Sequence, residues 1–408
     1  MAESFKPETP DQLRDAVAWA VAEETPLEVV CGGSKRSMGR SGNAERRLDV
    51  SALRGITLYE PEELVLTAGP GTPLAEIEQT LAERRQQLAF EPPDLGPLLG
   101  GGPGMGTLGG VIACNLSGPR RLKAGAARDH FLGFNAVSGR GEHFKSGGRV
   151  VKNVTGYDLC KVMCGSWGTL GVMTSLTVKV LPAAESIRTV LLLGPDVARA
   201  GIAMTEAMKT PYDVSGAAWL PVGLAAASGV SYVSGAGRAI AALRVEGPRP
   251  SVEYRCAALR RLLAAHGETE ELHSRNGARF WQELRDVAPF AKAGDTRCVW
   301  RISAPPKDGA RVMEALTAAT GGEAFLDWGG GLIWLAVDAP ADARHETVRA
   351  AIAGPGGHAT LIRAPEPVRA AVPVFQPPQP GVARLSRGLK ESFDPRGVLN
   401  PGRLYADF

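Results

Sequence analysis

The sequence predicts an α+β protein of two domains, and three observations lead there. A chain of 408 residues is too long for one ordinary core, and 44% apolar residues can fill more than one. Glycine is abundant, 50 residues, and before residue 175 it gathers in loops between β-like runs rather than in disordered tracts. After about residue 185 the pattern changes, and β-like runs alternate with helical ones.

Each element can be justified in turn. Thr9 can cap a first helix, Pro10 suits its first turn, and Gln12 completes a capping box. Ala16, Val17 and Ala20 then recur at helical spacing. LEVVC, Leu27 to Cys31, reads as a strand that empties into GGSKRSMGRSG; RLDVS and ELVLTAG are further short strands. Thr72 and Pro73 open a second helix with Leu74, Ile77 and Leu81 on one face. GGPGMGTLGGVIACNLSG, residues 101 to 118, holds seven glycines in eighteen positions. FLGFNAVSG is strand-like, and GVMTSLTVKVL alternates until Pro182 stops it.

Beyond about residue 185, AALRVEG, RCVWRISA, LIWLAVD and HATLIRA are β-like. SVEYRCAALRRLLAAHG, DGARVMEALTAATG and ARHETVRAAIAG are helical. That order resembles split βαβ units packed on one face of an antiparallel sheet. PVFQPPQPG, Pro373 to Gly381, reads as a linker. A last helix, ARLSRGLKESF, ends at the turn DPRGVLNPG. No internal repeat is legible. The expected domains are residues 1–183, 184–383, and a final segment 384–408.

Composition excludes several functions. Lys and Arg number 46 against 43 Asp and Glu, a net charge of +3, which makes no case for nucleic acid. No Lys/Arg run suggests a membrane patch. The opening MAESFKPETPDQLRDAVAWA lacks the long apolar stretch of a signal peptide, and no run of about 18 apolar residues occurs. Cys31, Cys114, Cys160, Cys164, Cys256 and Cys298 show no CxxC and no disulfide framework. Cys160 and Cys164, four apart, read as buried thiols. A cytoplasmic protein is expected, with no metal site.

Gly104, Gly106 and Gly109 match the dinucleotide pattern GxGxxG, with Asp129 about twenty residues on. That fingerprint needs an apolar strand before it, and EPPDLGPLLGGGP cannot pair as one. The better clue is shared chemistry. CGGSKRSMG, GTLGGVIACNLSG and GSWGTLGVM each set glycines beside hydroxyl or amide side chains. Consecutive N–H groups in such bends make concave donors for phosphate oxygens, and missing Cβ atoms allow close approach. Any single loop is explained as well by a turn in a glycine-rich β domain. Three in one segment point to an extended ligand with phosphates in its middle, such as a dinucleotide.

In this order, the three loops resemble the FAD-binding domain of the vanillyl-alcohol oxidase superfamily, also called the PCMH-type FAD fold. Within it, TLGGVIACNLSGPRR, RDHFLG and GGRVVKNVTGYDLCKVMCGSWGTLGV are similar to the smaller flavin-binding subunits of bacterial glycolate oxidases. FDPRGVLNPGR resembles the C-terminal segment of the superfamily. The resemblance covers residues 5 to 182 and 384 to 404. It implies an α+β fold: a two-subdomain FAD-binding domain, a ferredoxin-like α+β cap domain, and a C-terminal segment packing back on the FAD domain.

The resemblance also implies site residues. Cys31, Gly32, Gly33, Ser34, Lys35 and Met38 would wrap the FAD pyrophosphate through backbone amides. Gly101, Gly102, Gly104, Gly106 and Thr107 would line the flavin side, with Gly109 and Gly110 in the helix start that follows. Cys114, Asn115, Leu116 and Ser117 would continue along the ribityl and phosphate path. Gly168, Thr169, Leu170, Gly171 and Val172 would pack near the adenine. The loop with Lys152, Asn153, Thr155, Gly156 and Tyr157 would close over the cofactor, and Asn400 and Arg403 would return from the C-terminus toward the isoalloxazine. Relatives with covalent flavin use His or Cys at defined loop positions. The first loop here has no His, so noncovalent FAD is expected. Trp167 occupies a position often filled by Glu or Leu in relatives and is read as packing.

Oxidation of a 2-hydroxy acid needs a flavin acceptor, a base for the hydroxyl proton and a cation for the carboxylate. His266, His273, His345 and His358, with Arg301 and Arg363, are candidates, but no spacing gathers them, and His130 and His143 are equally isolated. The catalytic residues are therefore unassigned. No iron–sulfur spacing occurs either. The resemblance supplies partners: a larger FAD-binding catalytic subunit and an iron–sulfur subunit, jointly oxidising glycolate to glyoxylate and attached to the inner face of the membrane, if at all, only through the complex. The alternatives are a scaffold or electron-relay subunit of that complex, and a self-sufficient FAD-dependent 2-hydroxy-acid oxidase.

Overall fold

The computed structural model describes residues 4–42, 44, 46–149, 156–338 and 341–407. The chain forms two compact units. The first is Met1–Ser117, Gly125–Ala183 and Pro373–Phe408; the second is Gly118–Ala124 and Ala184–Val372.

The first unit is built on two main sheets. Thr9 accepts from the Gln12 amide at 3.2 Å and starts helix α1, Pro10–Ala22. Gln12 Oε1 accepts from the Glu8 N–H at 2.8 Å, one residue before the donor a capping box uses. Leu13, Val17 and Ala20 form the helix's buried stripe, and burying each such leucine or valine contributes about 1.5–3 kcal/mol. That stripe shares a core with Leu27, Leu48, Val398 and Leu399. Strands β1 (Ser4–Phe5), β2 (Leu27–Val30) and β3 (Arg46–Asp49) make a parallel sheet in the order β1-β3-β2. Next come β4 (Ile56–Glu60), β5 (Val65–Ala68), helix α2 (Leu74–Glu83) with Leu74, Ile77 and Leu81 buried, and β6 (Gln86–Gln87). After helix α3 (Leu108–Cys114) follow β7 (Phe131–Ser138), β8 (His143–Gly147), β9 (Gly171–Lys179) and β10 (Leu181–Pro182). Five of these strands form an antiparallel sheet in the order β4-β5-β9-β7-β8, and β6 pairs with β10.

The second unit is one antiparallel sheet of eight strands. They are β11 (Ser186–Leu193), β12 (Val214–Leu220), β13 (Ile240–Gly247), β14 (Glu268–His273), β15 (Cys298–Ser303), β16 (Glu323–Asp327), β17 (Leu332–Val337) and β18 (His358–Arg363). The order is β14-β11-β13-β12-β16-β17-β15-β18. Helices Val197–Met208 and Arg249–Leu263 cross over in the first half, Gly309–Thr320 and His345–Ala353 in the second. Each half is therefore βαββαβ with its own strands in the ferredoxin-like order 4-1-3-2, and the halves join where Trp219 of β12 pairs with Leu326 of β16.

Three expectations change. The second unit contains an internal repeat that is not legible in the sequence, because topology carries it. PVFQPPQPG is not a free linker: the Phe375 ring packs edge-on against Trp167 at 5.0 Å, so the first unit resumes at Pro373 rather than at residue 384. Gly118–Ala124 departs into the second unit, where Arg120 forks onto Glu246 at 2.7 and 3.0 Å.

Candidate cofactor site

The chain leaves β2 at Val30 and bends at once. Gly32 and Gly33 take left-handed φ of 69° and 76°, where a side chain is strained. The bend leaves the N–H groups of Gly32, Gly33, Ser34 and Lys35 without an acceptor among the described residues. Four consecutive open donors on one bend are a concave site for an anion. Met38, 1% exposed, anchors the far end, its amide donating to the Lys35 carbonyl at 3.1 Å.

The second loop enters α3. Thr107 caps that helix: its Oγ1 accepts from the Gly110 N–H at 3.3 Å and lies 3.3 Å from Cys31 Sγ. A Cβ on Gly109 would stand 2.6 Å from Pro70 Cβ, so close chain packing dictates that glycine. Gly110 answers to something else. Its missing Cβ would meet Thr107 Oγ1 at 3.3 Å and Lys35 Nζ at 3.5 Å, so the Lys35 ammonium lies over bare backbone.

The third loop turns at Trp167 and Gly168, φ 57° and 72°, with the Trp167 N–H donating to the Ala113 carbonyl at 3.0 Å. A Cβ on Gly168 would come within 2.8 Å of Asn400 Nδ2. Asn400 brackets the site. Its Nδ2 donates to the Trp167 carbonyl and its Oδ1 accepts from the Val29 N–H, both at 2.7 Å. Arg403 donates to the carbonyls of Lys35, Arg36 and Arg40 and lies 5.7 Å over the Trp167 ring.

One narrow cleft of about 110 Å³ collects these parts. Cys31, Gly33, Ser34 and Lys35 line it from the first loop, Gly109, Gly110 and Cys114 from the second, and Gly168, Gly171 and Val172 from the third, with Asn400 and Arg403 behind. Arg36, also at its wall, is paired with Glu28 at 2.7 Å. Lys35 has no such carboxylate: its ammonium donates only to Ser34 Oγ, at 3.2 Å, among the described residues. Burial pushes its pKa down, against the opposing pull of Cys114, Asp94 and Cys31. Burial likewise drives the Cys31 and Cys114 thiols up to about 11, so both stay protonated at neutral pH. Open amides beside a cation short of negative charge suit a diphosphate.

Other expected residues lie elsewhere. Gly32, Gly104, Gly106 and Thr107 line a second, larger cleft. Gly101 and Gly102 are exposed and line neither cleft. Asn115 ends α3 in a left-handed turn and accepts from the Arg128 amide at 3.3 Å, and Ser117 accepts from the Ala127 amide at 2.9 Å, so both hold the chain's own bends. Thr169 and Leu170 are buried, the Thr169 hydroxyl closing on the Ser166 carbonyl. Tyr157 is 89% exposed, while Lys152, Asn153 and Thr155 lie outside the described residues. The run before Gly104 is a short 3-10 turn, Pro97–Leu99, and not the strand a dinucleotide fingerprint needs. Sequence reasoning missed Pro70, whose carbonyl accepts from Cys31 Sγ and from the Gly109 amide; its place in the glycine-flanked GPG was the available signal. It also gave Lys35 only its backbone.

Most histidines are occupied. His143 pairs with Asp11, His266 with Glu206 and His273 with Glu271, and His130 is buried beside Phe90. Arg301 and His358, by contrast, sit on neighbouring strands β15 and β18.

Residues 3–147 match a family model described as an FAD binding domain. The 4-ethylphenol oxidase from Gulosibacter chungangensis shares the fold, with a TM-score of 0.71 over 99% of this chain and 89% of that one at 14% identity. The family model and the relatives that follow together define an FAD-binding flavoprotein of the oxidoreductase class, and the solved structure shows its fold. Over 400 residues, 97% of each protein, the chain is 37% identical to the glycolate oxidase subunit GlcE of Escherichia coli strain K12. It belongs to the GlcE family. It is also 34% identical over 134 residues to glycolate oxidase subunit GlcD of Bacillus subtilis strain 168, covering 33% of this chain and 27% of that one. No helix among the described residues is long and apolar enough to cross a membrane.

Proposed function

We propose that this chain is the FAD-carrying subunit of a glycolate oxidase, working with a larger flavin subunit and an iron–sulfur subunit to oxidise glycolate to glyoxylate. The observation that carries the reading is the row of open amides of Gly33, Ser34 and Lys35, set beside the Lys35 ammonium in a cleft shared by three loops. Those groups hold the FAD diphosphate, and the bare backbone of Gly110 gives it room. When bound, FAD supplies the electron-accepting centre for a 2-hydroxy acid. Asn400 and Gly168 fix the spacing between loops, a positioning role. FAD is held noncovalently: thiols at about 11 offer little thiolate to form a thioether link. An apolar stripe on helix Pro380–Phe393, with Val382 53%, Leu385 69% and Leu389 38% exposed, supports assembly with other subunits.

The test is purification of this chain alone. It is expected to be yellow, to release all its FAD on acid precipitation, and to turn over glycolate only after the partner subunits are added. A colourless chain that takes up no FAD removes the flavin reading. Flavin retained in the acid precipitate removes the noncovalent one, and full turnover by the chain alone removes the subunit one.

A further inference from the structure

Helix Pro380–Phe393 and the turn after it bury an ion pair that the flavin reading leaves without a role. Lys390 and Asp394 lie one turn apart, their side chains 5% and 0% exposed, with Nζ 2.7 Å from Asp394 Oδ2. Gly139 closes over the carboxylate: its amide donates to the Phe393 carbonyl at 2.9 Å, and a Cβ there would collide with Asp394. An ammonium has three N–H donors. Lys390 gives one to Asp394, one to the Thr169 carbonyl and one to the Leu399 carbonyl, the last two at 2.9 Å. Asp394 in turn accepts from the Val398 amide at 3.1 Å and the Leu399 amide at 2.8 Å.

These acceptors belong to segments that meet at the cofactor cleft. Thr169 follows Gly168 and Leu399 precedes Asn400, and both Gly168 and Asn400 line that cleft. The turn that Asp394 shapes also joins the edge of β2. There the Leu27 amide donates to the Val398 carbonyl at 2.8 Å, and the Asn400 amide to the Leu27 carbonyl at 3.0 Å. One side chain therefore sets where the third loop stands against Asn400, which itself reaches Val29 and Trp167. A buried ion pair is a poor source of stability, since apolar side chains of like volume often serve as well. Burial works against this ammonium and lowers its pKa, with Asp394 opposing. Apolar side chains cannot, however, hold three acceptors from separate segments at fixed distances and directions.

We propose that Lys390 is a positioning residue of the cofactor site: anchored by Asp394, it fixes the third loop and the Asn400 turn at the spacing that FAD requires. It acts through Thr169 and Leu399 and does not touch the cofactor. The proposal rests on the FAD reading above.

Two variants of the full chain test it: Lys390→Met, and Lys390→Met combined with Asp394→Asn, which removes the carboxylate that the first leaves buried and unpaired. Leu81→Ala, a truncation in the core under α2, is the control for lost stability alone. Hydrogen exchange at the Val29 amide is read in the FAD-free chain, FAD affinity by flavin fluorescence titration, and stability by thermal melts. Both Lys390 variants are expected to exchange Val29 faster and to bind FAD roughly tenfold more weakly or more, the scale of one lost charged hydrogen bond. The double variant is expected to regain stability relative to the single one without regaining FAD affinity. Leu81→Ala is expected to melt earlier while keeping Val29 protection and FAD affinity. The positioning role is overturned if the double variant keeps both of those, or if Leu81→Ala loses them equally. A parent chain that takes up no FAD overturns the reading beneath it. A parent that binds FAD no better than the double variant overturns the positioning role alone, so the two failures are told apart.

Discussion

A lysine ammonium laid over glycine backbone with only a serine hydroxyl for company is costly until an anion arrives. Lys35 is in that position, its pKa lowered by burial. Lys35→Met is therefore expected to weaken FAD roughly tenfold to hundredfold, the loss of about 1.5–3 kcal/mol for one charged hydrogen bond. The same variant should leave the FAD-free chain no less stable, since a desolvated charge has been removed. Flavin fluorescence titration and thermal melts check the two halves. The sign of the pH dependence follows. Bound diphosphate raises the lysine's pKa, so FAD binding takes up a proton at alkaline pH, and affinity falls as pH climbs through the lowered value of the free protein. At this scale the sequence was a partial guide. Gly33, Ser34 and Lys35 were flagged and lie in the cleft, whereas Asn115 and Ser117 were flagged for the same chemistry and spend it on turns. A small polar side chain that makes a good ligand also makes a good cap, and only neighbours decide between them. Asn400 could be placed only by resemblance, because its partner Val29 is 371 residues away.

Glu246 on β13 shows what one element does for another. It accepts both arms of Arg120 and lies 3.8 Å from Arg244, each of the three side chains about a tenth exposed or less. Burial opposes its ionisation, yet the two arginines hold its pKa at about 2. A carboxylate with a lowered folded pKa contributes stability above its unfolded value, about 4.3. That contribution fades as pH falls from there to about 2. Glu246→Gln is expected to cost about 3–5 kcal/mol at neutral pH, because it takes a buried counter-charge away from Arg120 and Arg244. Denaturant melts at neutral pH and at pH 2 test this: the gap between variant and parent should close in acid. Helices Arg249–Leu263, Gly309–Thr320 and His345–Ala353 were legible from their spacing, whereas helices Val197–Met208 and Ser274–Arg285 and strands β11, β12, β14 and β16 were not read. VSGAAWL is buried along its whole length and EAFLD nearly so, which leaves no alternation to read. With those strands missing, the repeat could not be seen.

Taken whole, the molecule joins a flavin-binding unit to a duplicated antiparallel sheet, and it leaves Val382, Leu385 and Leu389 exposed along one helix. Leu385→Asp is expected to abolish assembly with the other subunits while leaving FAD content unchanged. Co-purification together with the visible spectrum measures both. Composition changes near residue 185, close to the bound between Ala183 and Ala184, and the first unit takes up the chain again at Pro373, inside the proline run read as a linker. A proline run can pack as well as span, and Phe375 gives this one something to pack with.

The bracket formed by Asn400 also sets a timetable for biogenesis. Val29 is added to the chain 371 residues before the side chain that accepts its N–H exists. At roughly 5–20 residues per second, that is a wait of about 20–75 seconds. Throughout it, the edge of β2 stays open and the nascent flavin cleft lacks its rear wall. The site therefore cannot close until Asn400 has been added, and a chain that stops short of it lacks the bond to Val29 and the bond to Trp167.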